Sequence, residues 1–249
     1  MLTAILATRE PSYSRKHLKR ITMSENKYLD QLPVDKRGLV EKHLDLVLEA
    51  NKTMNLTRIE NEEDGRLLHI EDSLSGLGEL NGAPEGRYGD LGSGAGYPGI
   101  PLAIATGRET VLIDARQKKM TAVLSMIEAL GLSDQVGVYA GRAELLARKD
   151  PESFSVLTAR ALSKLSVLLE LASPLLKRNG RLVCYKSHVD EEEYQHALDV
   201  CGKVGMKLVS DRSFILCDEY ERRILVFEKC DKSRIKLPRQ EGLAQKDPL

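Results

Sequence analysis

The stretch Gly86-Arg-Tyr-Gly-Asp-Leu-Gly-Ser-Gly-Ala-Gly-Tyr-Pro-Gly-Ile-Pro101 constrains the fold of this chain more than any other. It reads as a short strand, a turn carrying Gly92, Gly94, Gly96 and Gly99, and an apolar helix from Ile100 to Ala105. Glycines permit positive φ in a tight strand-to-helix turn, and without a Cβ they let a ligand lie directly on the backbone. The amides that open the following helix are then expected to face that ligand. Such a turn belongs to a sheet built from alternating strands and helices. The 249 residues, 42% of them apolar, suffice for one large domain of that class with appendages.

Two ligands fit the loop. Gly94-Ala-Gly-Tyr-Pro-Gly99 matches the dinucleotide fingerprint, in which a pyrophosphate sits on the helix N-terminus. Asp90 argues otherwise, because it stands two residues before Gly92 and makes the pattern Asp-x-Gly-x-Gly-x-Gly. A carboxylate there repels a pyrophosphate and attracts a cation, such as the sulfonium and α-amino group of S-adenosylmethionine. Asp114 closes the next strand, Thr110-Val-Leu-Ile-Asp114, where it suits the ribose hydroxyls of either ligand.

Along the chain, residues 1–24 are polar and basic and read as a flexible extension. Met23 is followed by an ordinary-looking start, so residues 1–22 read as an upstream extension of the reading frame. Residues 25–85 read as a helical cap, with one amphipathic helix from Val34 to Ala50 and another from Glu63 to Leu80. The α/β domain is expected over 86–230, with strands at 87–91, 110–114, 136–140, 155–159, 180–186, 207–217 and 222–229. Between them, helices are expected at 99–106, 117–130, 163–177 and 191–204. No helix separates the last two strands, so they form an antiparallel hairpin. The expected fold is a Rossmann-like, doubly wound and mostly parallel α/β sheet with a C-terminal hairpin and an N-terminal helical cap. A closing hairpin favours the class I methyltransferase form of this sheet over the hydride-transfer form. Residues 231–249 make a basic tail.

Lys+Arg and Asp+Glu both total 37, so net charge does not argue for nucleic acid, but basic residues gather at both ends. Basic ends on a neutral body suit a polyanion, although solvated termini are an equal reading. Cys184, Cys201, Cys217 and Cys230 are too dispersed for a zinc site or redox pair, and the histidines lack ligand spacing, so no metal is expected. No apolar run reaches the length of a membrane span, and Leu2 to Ala7 is too short for a signal peptide, so a cytoplasmic protein is expected.

Ligands of such sheets bind at the carboxyl ends of the strands, near the switch between the first and fourth. That rim carries Asp90 to Gly96, Asp114, Arg142-Ala143-Glu144, Arg160 and Lys186. Glu144 is placed for an adenine amino group, with a solvated loop carboxylate as an equal reading. Arg160 ends an apolar strand and suits a carboxylate or a phosphate, and Lys186 repeats the case more weakly. His69 and Asp72 share a helix face, where a buried hydrogen bond is as good a reading as catalysis.

The chain resembles the RsmG (GidB) family, bacterial methyltransferases of small-subunit ribosomal RNA. The matching pieces are Asn55-Leu-Thr57, His69-Ile-x-Asp72-Ser73 and Asp90-Leu-Gly-Ser-Gly-Ala-Gly-Tyr-Pro-Gly-Ile-Pro-Leu102. Further along come Asp114 with Lys118-Lys119, Arg142-Ala-Glu144, Arg160-Ala161, Tyr185-Lys186 and the closing Pro238-Arg-x-x-Gly242-x-x-x-Lys246-x-Pro248-Leu249. Departures are Ser187, where the family usually has glycine, the Thr53-Met54 stretch in place of an aromatic residue, and the basic extension before Met23. The resemblance implies methyl transfer from S-adenosylmethionine to ring nitrogen 7 of a guanine in the decoding-region loop of 16S rRNA. It implies a cofactor held around Gly92, Tyr97, Ala143, Glu144 and Arg160, with Asp114 near the ribose.

Nitrogen 7 carries a lone pair outside the aromatic sextet, so no proton need leave before attack. A chain without a cysteine nucleophile or paired general base fits that reaction, with catalysis by placement and desolvation. Arg160 and Lys186 are the expected catalytic residues, steadying the RNA phosphate or guanine oxygen 6. The expected partner is the small ribosomal subunit or its RNA, and the enzyme is expected to be a monomer. Three rival readings are an NAD-linked oxidoreductase, a non-catalytic ribosome-assembly factor and a small-molecule methyltransferase.

Overall fold

Central strands of this chain are apolar on both sides, which demands helices on both faces of one sheet. The computed structural model describes residues 28–249, and the basic stretch 1–24 lies outside the described residues. The strands are β1 (Tyr88–Leu91), β2 (Thr110–Asp114), β3 (Val136–Ala140), β4 (Phe154–Arg160), β5 (Leu176–Lys186), β6 (Met206–Leu216) and β7 (Tyr220–Lys229). They form one sheet in the order β3-β2-β1-β4-β5-β7-β6. The first five are parallel, and β7 runs antiparallel between β5 and β6. The order reverses between β1 and β4, where Asp90 stands beside Thr158 and Leu91 beside Ala159.

The helices are α1 (Val34–Met54), α2 (Glu62–Gly65), α3 (Asp72–Leu74), α4 (Leu77–Asn81), α5 (Gly99–Thr106), α6 (Gln117–Ala129), α7 (Ala143–Lys149), α8 (Leu165–Ala172), α9 (Glu191–Val204) and α10 (Leu243–Lys246). On one face, Val40 and Leu44 of α1 pack with Ile100, Met120 and Val123. On the other, Leu146, Leu168 and Leu169 meet Ala197, Val200 and Phe227. No helix among the described residues is long and apolar enough to cross a membrane.

Four elements differ from expectation. The helix expected over 63–80 is broken: Arg66–Glu71 winds as a wide π-helical turn, and the chain bends again before α4. Such turns occur often at functional sites. The helix expected over 163–177 stops at Ala172, with Pro174 two residues beyond. Its tail instead joins β5, which begins at Leu176 and passes Asn179 at φ 64. Helix α7 was read only as the rim loop Arg142-Ala-Glu144, yet Glu144 in its first turn and Arg148 and Lys149 in its last match the helix dipole.

The cap is fastened to the sheet by polar bonds that the sequence does not display. Tyr185 donates its hydroxyl to the Ser73 carbonyl, and Arg212 reaches Glu79 and the Ser75 carbonyl from β6. Arg108 donates to four carbonyls, those of Leu80, Ala83, Pro84 and Gly86.

Candidate active site

The glycine loop is shaped from below. Asp90 is fully buried and accepts hydrogen bonds from the Gly99 amide (3.0 Å) and the Thr158 hydroxyl (2.7 Å). Its carboxylate therefore caps α5 and ties β1 to β4, rather than facing a ligand as the sequence suggested. The expectation that the opening amide of α5 faces a ligand is corrected for the same reason: Gly99 N–H is taken by Asp90. A Cβ on Gly99 would collide with the Leu112 side chain and lie 2.8 Å from that carboxylate, so both the core and the cap require glycine here.

Burial pushes the Asp90 carboxyl from 3.8 up to about 6, against the bonds from Thr158 and Gly99 and the charge of Arg160. A carboxyl raised on folding stabilises the protein most below its unfolded pKa, and that contribution is lost as pH rises through the folded value. Relative to Asp90→Asn, the wild-type protein is expected to lose on the order of 3 kcal/mol of stability between pH 4 and pH 7. Denaturant titrations at the two pH values measure this; a constant difference would mean an ordinary carboxyl.

Above the loop lies a cavity of about 290 Å³ over the ends of β1 and β2, lined by Gly92, Gly94, Asp114, Arg142, Glu144 and Gln245 among others. Gly94 has φ +57, and a Cβ there would point into open space, with its nearest neighbour the Gly92 carbonyl at 3.9 Å. Asp114 accepts the Gly94 amide (3.1 Å) and the Arg116 amide (2.8 Å), which fixes its carboxylate at the cavity edge. Ala143 also lines this space.

The C-terminal segment forms part of the wall. The Glu144 carboxylate, largely buried, accepts the Gly242 amide at 2.7 Å, and Gln245 of α10 enters the lining. Arg239 grips both oxygens of Glu170 at 2.7 and 2.6 Å, with Glu170 only 3% exposed. One cation of the basic tail is thus held by the protein itself. Removing it strands a buried carboxylate, so Arg239→Ala is expected to cost about 3 kcal/mol in stability. Thermal unfolding reads this directly, and an unchanged melting temperature would show that the tail is not docked.

A second cavity of about 410 Å³ adjoins the first at Ala161, which lines both. Ala161 has φ +52, a strained setting for a residue with a Cβ, held where β4 ends. Arg160, Lys186, Asp72, His69 and Arg222 line this second space. Asp72 joins two guanidiniums, one oxygen 2.7 Å from Arg160 and the other 2.7 Å from Arg222. Arg160 also donates to the Leu68 carbonyl in the π-helical turn, so that turn sets its position. Lys186 lies 2.6 Å from Glu193, whose carboxylate also accepts the first amide of α8. Its three cations thus face two carboxylates, leaving an electropositive space with fixed donors.

Tyr97 lines neither cavity. Its ring is sandwiched between His43 and His69, with centroids 4.5 and 4.3 Å away. Burial lowers both histidines to about 3 and raises the Tyr97 hydroxyl, so all three are neutral at physiological pH. The His69 ring and the Thr57 hydroxyl share a hydrogen bond at 3.0 Å, linking the Asn55-Leu-Thr57 stretch to the π-helical turn. Gly96, at φ +94, faces His43 and Ile100 rather than the first cavity. Of the residues singled out in the sequence, Gly92, Gly94, Asp114, Ala143 and Glu144 meet at the first cavity, and Arg160 and Lys186 at the second. Arg222 and Gln245 were missed. Each comes from a distant segment, and only the Gln245 neighbourhood carried a motif.

Known proteins place this arrangement. The family model described as rRNA small subunit methyltransferase G matches residues 37–224. A ribosomal RNA small subunit methyltransferase G from Bacillus pumilus is 35% identical over 213 residues, 84% of this chain and 89% of the relative. One of the same name from Listeria monocytogenes is 33% identical over 223 residues, covering 88% and 93%. Among solved structures, an O-methyltransferase from Bacillus cereus in complex with SAH superposes with TM-score 0.56 at 18% identity, covering 84% of this chain and 98% of that one. The cyclase SpnF also superposes, with TM-score 0.54 at 14% identity, covering 80% and 97%. These distant likenesses establish the class I methyltransferase fold alone, since the fold also hosts other chemistry. The sequence relatives go further: the chain belongs to the rRNA small subunit methyltransferase G family.

Proposed function

We propose that the protein transfers a methyl group from S-adenosylmethionine to nitrogen 7 of a guanine in the decoding-region loop of 16S rRNA. The observation carrying this reading is the pair of adjoining cavities that share Ala161, one beside the glycine loop and one lined by fixed cations. The first fits an adenosyl ligand: Gly94 leaves its backbone open, and Asp114 stands at the end of β2 where ribose hydroxyls would lie. Glu144 and Gln245 would close the adenine end. S-adenosylmethionine supplies an electrophilic methyl on a sulfonium.

The remaining work falls to this chain's side chains. Asp90 holds the loop and the sheet switch rigid, so that donor and acceptor meet in line across Ala161. Arg160 and Lys186 orient the guanine edge and its phosphate, while Asp72 fixes Arg160. Nitrogen 7 attacks with its own lone pair; the N–C bond forms as the S–C bond breaks and its electrons return to sulfur. The base gains a positive charge and no proton leaves, so no side chain has to serve as a base. Asp72 and Glu193 keep the space from becoming too cationic for that product.

Nucleoside analysis of treated small-subunit RNA tests the chemistry. The expected product is 7-methylguanosine; a methyl on an exocyclic amine or a ribose would require a different acceptor geometry and would refute the assignment. A cofactor titration separates this from an NAD-linked reading, which requires nicotinamide binding and no methyl transfer.

A further inference from the structure

One short loop divides the two cavities of the site, and its residues face both sides. Arg160 and Ser163 line the second cavity, Leu162 lines the first, and Ala161 lines both. The loop is pinned at each end. Asp72 and the Leu68 carbonyl hold Arg160, the Ser163 carbonyl accepts Lys186 Nζ at 3.0 Å, and the Leu165 amide donates to Glu193 at 2.9 Å. Between these anchors Leu162 lies against the first glycine of the turn after β1: a Cβ on Gly92 would stand 2.7 Å from Leu162 Cδ1. The other large apolar side chains of the first lining, Leu91, Ile113 and Leu171, are buried in the core. Leu162 is 38% exposed, so among the described residues it is the large apolar side chain of that lining with a face left open.

We infer that Leu162 sets the size of the group this protein can transfer. The inference rests on the proposed function, in which donor and acceptor meet across Ala161, and adds the residue that limits the donor there. Leu162 follows Ala161 directly and stands on the donor side of the divide, beside Gly92. Across the divide Arg160 and Lys186 are fixed by carboxylates, so the polar recognition lies with the acceptor. A leucine has no donor or acceptor to offer; what it gives a transferred alkyl group is a wall. That wall recedes little, because the residues on both sides of it are anchored. One methylene more or less against a fitted apolar wall changes a rate about 10–200-fold. A methyl on the sulfonium fits beside Leu162, whereas a second carbon on the same group has to displace it. The step itself balances in the same way for either group. Nitrogen 7 bonds to the carbon attached to sulfur, the S–C bond breaks with its electrons returning to sulfur, and S-adenosylhomocysteine leaves.

S-adenosylethionine, which carries an ethyl in place of the methyl, is the probe. Ethyl transfer is intrinsically the slower reaction, but that factor is common to every variant and cancels when their ratios of ethyl to methyl transfer to small subunits are compared. Leu162→Ala is expected to raise the ratio about tenfold over wild type and Leu162→Val about threefold, while the volume-conserving Leu162→Met keeps it. Leu145→Ala is the control: Leu145 is equally exposed at 38% but lies outside both linings, and its ratio is expected to match wild type. A residue that merely supports the loop would lower both transfers together. An unchanged ratio in Leu162→Ala and Leu162→Val therefore overturns the inference, as does an equal rise in Leu145→Ala, which would signal general loosening. Wild-type protein that binds S-adenosylmethionine yet methylates no RNA would remove the proposed function, and with it this inference. Methyl transfer with an unmoved ratio would remove the inference alone.

Discussion

Arg160→Ala is expected to lower methyl transfer to the small subunit about 100-fold or more while leaving affinity for S-adenosylmethionine within about threefold. The split follows from position. Arg160 lines the second cavity and not the first, and its guanidinium is fixed by Asp72 and the Leu68 carbonyl. Its loss unfastens the end of β4 from the π-helical turn and, under the proposed function, removes a donor from the acceptor's cavity. Asp72 keeps its bond from Arg222, so the carboxylate is not stranded and the fold should survive. Arg160→Lys restores the charge but not the planar fork, and should recover only part of the rate. Isothermal titration with the cofactor and single-turnover methylation together read the result. A loss of cofactor affinity matching the loss of rate would place Arg160 on the donor side, as one strand of the sequence reading had it.

Gly94→Val is expected to produce the opposite split, with cofactor affinity falling about 100-fold and methylation failing because the donor site is filled. Valine there adds its side chain to the open space of the first cavity and is strained at φ +57. The strain alone is worth about 1–3 kcal/mol, which would lower the melting temperature by a few degrees. Gly107→Val separates the two effects. Gly107 has φ +74 with nothing within 4 Å of its Cβ, at the far end of α5. It should show the same loss of stability with normal cofactor affinity. If Gly94→Val binds the cofactor normally, the first cavity is not the donor site.

Much of this architecture was legible because it rests on local signals. Short apolar strands alternating with helices announced the parallel sheet, and the absence of a helix between β6 and β7 announced the hairpin. The glycine run marked the turn after β1. What was not legible depends on direction and on distant partners. Strand position told where Asp90 lies but not that its side chain turns inward, where the Gly99 amide and the Thr158 hydroxyl await it. Tyr97 sits in the same loop, yet the loop's curvature turns its ring away from the cavity and between two histidines of the cap. The π-helical turn has no composition that distinguishes it from an ordinary helix; it is held by contacts to Arg160 and Thr57, 12 or more residues away. The tail read as a basic end, suited to a polyanion or simply to solvent, because its partners, Glu144 and Glu170, lie 98 and 69 residues upstream.

The central claim is that two adjoining cavities bring a methyl donor and a guanine of the small-subunit RNA together across Ala161. Its most direct test is transfer of labelled methyl from S-adenosylmethionine, by purified protein, to small subunits from a strain lacking this gene, followed by chemical mapping of 7-methylguanine. A single new 7-methylguanine in the decoding-region loop, absent with Arg160→Ala, is the predicted result. Normal cofactor binding with no methyl in the RNA, or a methyl at another atom or site, would contradict it.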